Sequence, residues 1–286
     1  MKLSIIVPTY NNLSYLKFLL HSLQKNSSFN HEIILHINDG SDGTLNYAIK
    51  NSFKYSHSNE NIGLCSSMNK AYLLTSTNYI LYAHDDMYFC KGWDVYLTEE
   101  IKKQSSNLYY LSGTNVSTRY GLINFDCGDT IENFDENKFE KFCLNDKTPN
   151  LQSSHWAPHL IHKELWDKIG GFSEEFNPGD GSDPDFCMKL WLKNVRIFKG
   201  VSKFKVYHFN SITTRNKAMK LNNGTKQFLL KYGITPRFFR KYYLKGNISI
   251  IPYIGILSNP IKNISFYYDL IKCKLKILYY KIIKVI

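Results

Sequence analysis

Apolar runs of strand length alternate with segments of helical spacing through the first third of the chain. Strands are predicted at 3–7 (LSIIV), 32–37 (EIILHI) and 79–83 (YILYA), and helices over 12–26, from near Thr44, and over 64–76. A strand followed by a helix and another strand favours parallel pairing, with the helix covering one face of the sheet. The pattern therefore predicts an α/β fold with a mostly parallel sheet flanked by helices, in which ligands bind at the carboxyl ends of the strands.

The rest of the chain shows a weaker pattern. LYYLSG (108–113) is a further predicted strand, whereas 114–150 has no clear period and is predicted to form loops. A helix is predicted to begin after Asp183, with Asp183 as its N-cap and Pro184 in its first position. Two short strands, RIFKG and KFKVYHF, are predicted to close the sheet within 196–209.

Composition restricts the class of protein. The 286 residues carry 36 Lys and Arg against 24 Asp and Glu, and a net charge of +12 favours an anionic partner. The six cysteines form no CxxC pair, and we expect reduced thiols in a cytoplasmic protein. The first apolar run is too short for a secretory signal, and no apolar stretch approaches the roughly 20 residues that span a bilayer.

Positive charge is concentrated in the tail, which we expect to form a basic helical extension over 216–286 beside a first domain over 1–215. Its last segment places apolar residues at alternating steps of four and three, with lysines on the flanks: Ile264, Tyr268, Ile271, Leu275, Leu278, Ile282 and Val285. Two interpretations stay open, an amphipathic helix that binds an anionic membrane surface through 236–286 and a helix that packs on the domain. Nucleic acid is not an expected partner, because the charge is not interleaved with stacking aromatic residues.

Two adjacent carboxylates, Asp85 and Asp86, follow the strand 79–83. Placing two carboxylates side by side at a buried strand end is costly unless a cation offsets their charge. Mg²⁺ and Mn²⁺ prefer oxygen ligands, and they commonly bridge one or two carboxylates to the oxygens of a diphosphate. The pair therefore suggests a divalent cation site, although an isolated pair of acids is more often an ordinary turn.

Six short motifs occur in a fixed order along residues 1–210. They are VPTYNN (7–12), INDGSDGT (37–44), NENIGLCSSMNKAY (59–72), HDDM (84–87), GGFSEEF (170–176) and GSDPDF (181–186). In this order the sequence resembles the family 2 glycosyltransferases, whose fold is called GT-A. The resemblance implies an inverting transfer of a sugar from a nucleotide-sugar donor (UDP, dTDP or GDP) to a glycan or lipid-linked acceptor in cell-surface polysaccharide synthesis, with Mn²⁺ or Mg²⁺ as the cofactor.

The resemblance also implies roles for individual residues. Donor contacts are expected from Pro8, Thr9, Tyr10, Asp39, Asn61, Gly63, Asn69 and Asp85. Asp86 and His208 are the expected metal ligands, and Asp183 is the expected catalytic base. Apart from the resemblance, Trp156 is a candidate for the acceptor site because tryptophan stacks on sugar rings, although a position in the core is the default interpretation. Asp180 and Asp185 lie close enough to Asp183 to share the acceptor site or to replace Asp183 as the base.

The sequence departs from the family pattern at several of these positions. Asn38 replaces the first acid of the second motif, whose turn is one residue shorter, and Ser182 replaces an acid before Asp183. The metal motif reads His84-Asp85-Asp86, which leaves open which aspartate binds the metal. Two alternatives therefore accompany the transferase prediction: a non-catalytic subunit that binds nucleotide sugars, and a sugar nucleotidyltransferase.

Overall fold

The structure is a computed structural model that describes residues 1–153, 157–209, 222–246 and 250–283. The strands are β1 (Ser4–Tyr10), β2 (Glu32–Asn38), β3 (Lys54–Ser58), β4 (Tyr79–Tyr82), β5 (Met87–Phe89), β6 (Tyr109–Ser117), β7 (Ile123–Asn124), β8 (Leu151–Gln152), β9 (His159–His162) and β10 (Ile197–His208). The helices are α1 (Leu13–Asn26), α2 (Thr44–Lys50), α3 (Leu64–Tyr72), α4 (Trp93–Lys102), α5 (Glu136–Asn145), α6 (Lys163–Ile169), α7 (Ser182–Leu192), α8 (Gly224–Tyr232), α9 (Pro236–Tyr242) and α10 (Ile264–Ile283).

One mixed sheet organises these elements, in the order β3-β2-β1-β4-β9-β6-β10-β5, with β7 beside β6 and β8 beside β10. The neighbours β3-β2-β1-β4 are parallel, as are β6 and β10, whereas β9 and β5 run antiparallel to their neighbours. Because β3, β2, β1 and β4 are parallel to one another, the carboxyl ends of β1, β2 and β4 lie together at one edge of the sheet. The predicted α/β fold with a mostly parallel sheet flanked by helices is confirmed.

The predicted strands at 3–7, 32–37 and 79–83 correspond to β1, β2 and β4, and the leucines of α1 pack into the core as their spacing predicts. The prediction that 114–150 consists of loops is wrong, because this range holds the end of β6 as well as β7 and α5. Four further short strands, β3, β5, β8 and β9, were not predicted. The two strands predicted within 196–209 form a single strand, β10, with an irregularity between Gly200 and Lys205.

The C-terminal helices share the core of the sheet domain. Phe228 and Leu229 of α8 and Phe238 and Phe239 of α9 are at most 3% exposed, and they belong to the same continuous apolar cluster as β1 and β4. The boundary predicted at residue 215 lies outside the described residues. The helices that follow it pack on α7, so the part of the extension that contains α8 and α9 is integrated with the first domain.

Helix α10 has two apolar faces. One face packs on the preceding helices through residues such as Phe266 and Cys273, which are 5% and 4% exposed. The predicted stripe lies on the opposite side, where Ile271, Leu275 and Leu278 are each more than half exposed. Among the described residues, no helix is both long and apolar enough to cross a membrane.

A carboxylate of α4 holds the turn that follows α1. The fully buried Asp94 accepts hydrogen bonds from the backbone amides of Ser28 (2.7 Å) and Phe29 (2.8 Å), and its Oδ2 lies 3.1 Å from His31 Nε2. Burial acts to raise the pKa of Asp94, but the hydrogen bonds from His31, Phe29 and Ser28 outweigh it, so that the pKa is lowered. The ionised carboxylate therefore connects α4 to the start of the β2 segment.

We expect Asp94→Ala to lower the free energy of unfolding by about 2–4 kcal/mol, because two buried backbone amides lose their acceptor. Urea denaturation monitored by circular dichroism measures the change. Glu99→Ala is the matched control, since Glu99 is exposed on the same helix, and it should change stability by less than about 0.5 kcal/mol. Equal stabilities of the two variants would contradict this role for Asp94.

Candidate active site

The carboxyl ends of β1 and β4 are joined by a side-chain hydrogen bond. Thr9 Oγ1 donates to Asp85 Oδ2 at 2.7 Å, and both residues are buried. Thr9 and the half-buried Pro8 and Tyr10 are thereby held next to the acidic segment that follows β4. The structure thus brings together the donor residues predicted in the first motif and those predicted at the end of β4.

A cluster of possible metal ligands lies beside this bond. One ligand atom each from His84, Asp86 and His208 lies within 4.8 Å of the other two. Pairing between β5 and β10 creates the cluster, because Met87 lies opposite His208 and so brings His208 next to Asp86. Asp86 Oδ1 is 3.1 Å from His208 Nε2 and 4.0 Å from His84 Nδ1.

The separations of Asp86 Oδ1 from His208 Nε2 and from His84 Nδ1 match those of ligands around one divalent cation. Ligand atoms about 2.1 Å from one ion are about 3.0 Å apart when adjacent in an octahedron and about 4.2 Å apart when opposite. The described residues offer the buried His208 Nε2 no partner in hydrogen-bonding geometry. Burial and the neighbouring His208 lower the pKa of His84 to about 4, although Asp86 opposes them, so His84 is neutral at pH 7 with a nitrogen lone pair available.

The end of β2 lies at the same edge of the sheet. Asp39 has a positive φ of 61°, and its Oδ2 accepts a hydrogen bond from Asn11 Nδ2 at 2.7 Å. Asn38, which replaces an acid of the family pattern, is buried; its Nδ2 donates to Ser67 Oγ at 3.0 Å and its Oδ1 accepts from the amide of Ile62 at 3.0 Å. Asn38 therefore connects β2 to α3 and the loop before it.

The predicted donor residues around α3 fix the conformation of the local backbone through hydrogen bonds and one close contact. Asn61 Oδ1 accepts a hydrogen bond from the amide of Gly63 at 2.9 Å. Gly63 has a φ of +83°, and a Cβ there would lie 2.5 Å from Asn177 Oδ1, so glycine is required. The amide group of Asn69 bonds to both the N–H and the C=O of Phe172, at 2.9 Å each. Asn69 therefore holds the GGF turn against α3.

Asp183 lies in the first turn of α7, although not in the predicted position. The prediction that Asp183 is the N-cap is wrong, because α7 begins at Ser182 with Gly181 as its N-cap in the left-handed conformation. Asp183 Oδ1 is buried and accepts no hydrogen bond from the described residues. Burial raises the pKa of Asp183 to about 7, so that the effect of burial outweighs that of the helix dipole, which favours the ionised form.

The two neighbouring carboxylates are already engaged. Asp185 is buried, its Oδ1 lies 2.8 Å from Lys231 Nζ, and it accepts a hydrogen bond from the hydroxyl of Tyr232 at 2.7 Å. Asp180 Oδ2 accepts from the amide of Gly224 at 2.8 Å. Asp183 is thus the one of the three with a buried oxygen that has no partner among the described residues.

Tyr82 lies near both Asp183 and the acidic segment after β4. Burial raises the pKa of its hydroxyl well above 10, and the charges of Asp183, Asp86 and Asp85 add to this effect. The predicted base and the acidic segment are therefore both close to one buried tyrosine. Trp156, the predicted acceptor residue, lies outside the described residues.

His84 is one functional candidate that the sequence analysis missed. It occupies the first position of HDD, where a carboxylate was sought, although a His two residues before an Asp offers a second ligand at the same site. The arginines of α9, Arg237 and Arg240, were also not predicted as site residues, yet they line a pocket together with Asp183.

The chain is similar to known proteins in sequence and in fold. The profile described as Glycosyl transferase family 2 matches residues 4–170, more than half of the chain. No curated protein sequence is significantly similar to the chain.

Solved structures with GT-A folds resemble the structure at low sequence identity. TarS 1–349 of S. aureus in complex with UDP is 22% identical with a TM-score of 0.54, and the alignment covers 72% of this chain and 60% of that chain. TarS 1–349 with UDP-GlcNAc has a TM-score of 0.55 at 20% identity, covering 80% and 65%. GalNAc-T7 with UDP, GalNAc and Mn²⁺ has a TM-score of 0.56 at 16% identity, covering 78% of this chain and 45% of that chain.

The raised pKa of Asp183 predicts a stability effect whose sign is fixed. The pKa of about 7 in the folded protein exceeds the ordinary value of 3.8. Protonation of Asp183 therefore contributes to the stability of the folded protein, and this contribution is complete below pH 3.8 and is lost as the pH rises through 7. We expect Asp183→Asn to stabilise the protein by about 1–3 kcal/mol more at pH 8 than at pH 4, after allowance for partial solvent exposure.

Urea denaturation at the two pH values, without divalent cations, measures this difference. Asp129→Asn is the control, because Asp129 is exposed, and its effect should not change between the two pH values. An Asp183→Asn variant that is destabilised at pH 8 would show that the carboxylate is stabilised as an anion, contrary to the expectation.

Proposed function

The chain belongs to glycosyl transferase family 2, and we propose that it transfers a sugar from a nucleotide-sugar donor to a hydroxyl of a glycan or lipid-linked acceptor, with inversion, in the synthesis of a cell-surface polysaccharide. The observation that carries the proposal is the convergence of His84, Asp86 and His208 at the sheet edge, next to the predicted donor residues. UDP is the first nucleotide to test, because the TarS and GalNAc-T7 structures contain UDP; dTDP and GDP remain candidates.

The donor is proposed to bind along the ends of β1, β2 and β4. Tyr10 and Asp39 border the nucleoside, and Asp85, fixed by Thr9, lies toward the diphosphate. Asp86, His208 and His84 would hold a divalent cation, which would neutralise the charge that gathers on the leaving diphosphate. Two imidazole donors favour Mn²⁺ over Mg²⁺, because Mg²⁺ prefers oxygen ligands.

Asp183 is proposed to be the base. A carboxylate with a pKa near 7 is an effective proton acceptor at neutral pH, and its Oδ1 has no competing partner among the described residues. As the acceptor hydroxyl attacks the anomeric carbon, its proton passes to Asp183 and the bond to the nucleotide diphosphate breaks. Asp180 is proposed to face the acceptor from the same pocket, and Trp156 remains a predicted acceptor contact. Asp185 is left with a structural role by its ion pair with Lys231.

The exposed stripe of α10 is proposed to lie on an anionic membrane surface at its cytoplasmic face. The helix is held to the domain by its other face, so the stripe of Ile271, Leu275 and Leu278 points outward. Lys272, Lys274, Lys276 and Lys281 flank it, where they can reach acidic headgroups. A symmetric contact with a second copy would instead bring these lysines together.

We expect UDP to bind only when a divalent cation is present, and more tightly with Mn²⁺ than with Mg²⁺. Asp86→Ala and His208→Ala should each weaken Mn²⁺-dependent UDP binding at least about tenfold, because each removes a metal ligand. Isothermal titration calorimetry measures the affinities. His21→Ala is the control, since His21 is exposed on α1, and it should bind as the unmodified protein does.

UDP binding that does not respond to Mn²⁺ or to Asp86→Ala would refute the proposed metal site. Activity distinguishes the alternatives. Mn²⁺-dependent binding without release of UDP from any UDP-sugar identifies a non-catalytic subunit, whereas release of pyrophosphate from a nucleoside triphosphate and a sugar 1-phosphate identifies a nucleotidyltransferase.

The membrane proposal predicts cosedimentation with vesicles that contain about 30% anionic lipid and little with neutral vesicles. Ile271→Asp together with Leu275→Asp should abolish binding, because charges replace the inserted face. Changing Lys272, Lys274 and Lys276 to Gln should lower partitioning about a hundredfold, at about 1 kcal/mol per lysine.

A variant with the same loss of charge provides the control. Lys50, Lys102 and Lys141 are exposed on other helices, and changing them to Gln should affect binding much less. The membrane proposal would be contradicted if the protein did not bind vesicles but dimerised with increasing concentration, and if Ile271→Asp with Leu275→Asp abolished the dimer. The stripe would then mediate self-association.

A further inference from the structure

A pocket of about 260 Å³ opens beside Asp183. Its walls come from the loop before α7, the first turn of α7, and the helices α8 and α9. The lining includes Asp180, Asp183, Thr225, Arg237, Arg240 and Leu244. These lining residues, the proposed base among them, all lie beyond the matched range 4–170.

Two guanidinium groups give this pocket its charge. Arg237 is exposed and Arg240 is half-buried, and they lie three positions apart on α9. Burial and the positive charge of Arg237 lower the pKa of Arg240. In the described part of the chain, no carboxylate lies within 4.0 Å of either guanidinium. Two guanidinium groups that share one concave site without a carboxylate partner raise the positive potential there, which favours a bound anion.

Side-chain and backbone contacts hold α8 at a fixed place relative to α7, and α9 packs on both of these helices. Asn222 bonds to both the N–H (3.0 Å) and the C=O (2.8 Å) of Asp180. A Cβ on Gly224 would lie 2.1 Å from the carbonyl oxygen of Asp180, so only glycine allows this approach. The ion pair of Lys231 with Asp185 adds a second connection. The arginines are therefore presented to the pocket by a rigid support rather than by a free tail.

We propose that this pocket binds a phosphate group of the acceptor, with Asp183 facing the hydroxyl that receives the sugar. The proposal rests on the proposed function and names the class of its acceptor. Two guanidinium groups at successive turns of one helix offer more donors than a single carboxylate can accept, whereas the oxygens of a phosphate can engage both. The phosphate can belong to a lipid carrier or to a phosphate-containing glycan.

The donor diphosphate is expected elsewhere. Residues that end β1, β2 and β4 form the proposed donor site, whereas the pocket is lined from 179–184, 225 and 236–244. The two sites can therefore be tested separately, because variants in α9 should leave nucleotide binding unchanged.

The test measures thermal stabilisation at constant ionic strength by inorganic phosphate, glycerol 3-phosphate and farnesyl phosphate, with glycerol as the neutral control. The unmodified protein should be stabilised by phosphate compounds and not by glycerol. Arg237→Gln with Arg240→Gln should weaken the apparent phosphate affinity at least about tenfold, whereas UDP affinity with Mn²⁺ should change less than about twofold. Lys50→Gln with Lys141→Gln is the control for the loss of two charges.

Arg240→Lys is a second, milder variant that guards against misfolding. It keeps the charge but loses the bidentate geometry, and it should lie between the unmodified protein and the double variant. Stronger stabilisation by farnesyl phosphate than by glycerol 3-phosphate supports a lipid source, and the reverse order supports a glycan source.

Equal phosphate stabilisation of the unmodified protein and the double arginine variant would overturn the proposal. Loss of UDP binding in the double variant, to the extent seen with Asp86→Ala, would also overturn it by assigning the arginines to the donor. Failure of the proposed function has a different signature, because UDP and Mn²⁺ then do not bind to the unmodified protein whatever its response to phosphate.

Discussion

The short antiparallel pairing of β5 with β10 is the interaction on which the candidate site depends. It places Met87 opposite His208 and so brings a histidine from the end of the sheet-forming region beside Asp86. Without this pairing, only His84 and the carboxylates of Asp85 and Asp86 would be available to a cation in the segment after β4. Two imidazoles and a carboxylate form a more selective set of ligands, because imidazole distinguishes Mn²⁺ from the more abundant Mg²⁺.

A second constraint joins the α7 region to the C-terminal helices. Asp180 and Asp185 lie on either side of Asp183 in sequence, and both are engaged with α8, through Gly224 and through Lys231 and Tyr232. Their engagement leaves the intervening Asp183 as the carboxylate with an unsatisfied buried oxygen among the described residues. The extension thus contributes to the site even though it lies beyond the motifs that the family resemblance covers.

Much of this architecture could be predicted from sequence because it follows from local patterns. The strands β1, β2 and β4 are continuous apolar runs, and α1 shows regular leucine spacing. The half-exposed strand β3, KYSHS, could not be recognised, because an edge strand with few apolar residues lacks both signals. Helix α5 was missed because only the short stripe around Phe139 marks it within a polar segment.

The site was predictable only in part, for a related reason. Motif order identifies Asp86, His208 and Asp183 as candidates, but it does not reveal which side chains remain unpartnered. Asn69 matches the family pattern, yet its side chain holds the GGF turn. Asp185 is a candidate for the base in the same pattern, yet it forms an ion pair with Lys231. The arginines lie outside every motif, and only the packing of α9 against α7 brings them to Asp183. That packing also separates charge across the candidate site: the cluster of His84, Asp86 and His208 lies at the sheet edge, and a pair of guanidinium groups lies on α9. In the proposed function, a donor diphosphate and an acceptor phosphate would each have a counter-charge of its own, so that the two anions would not compete for the same cation.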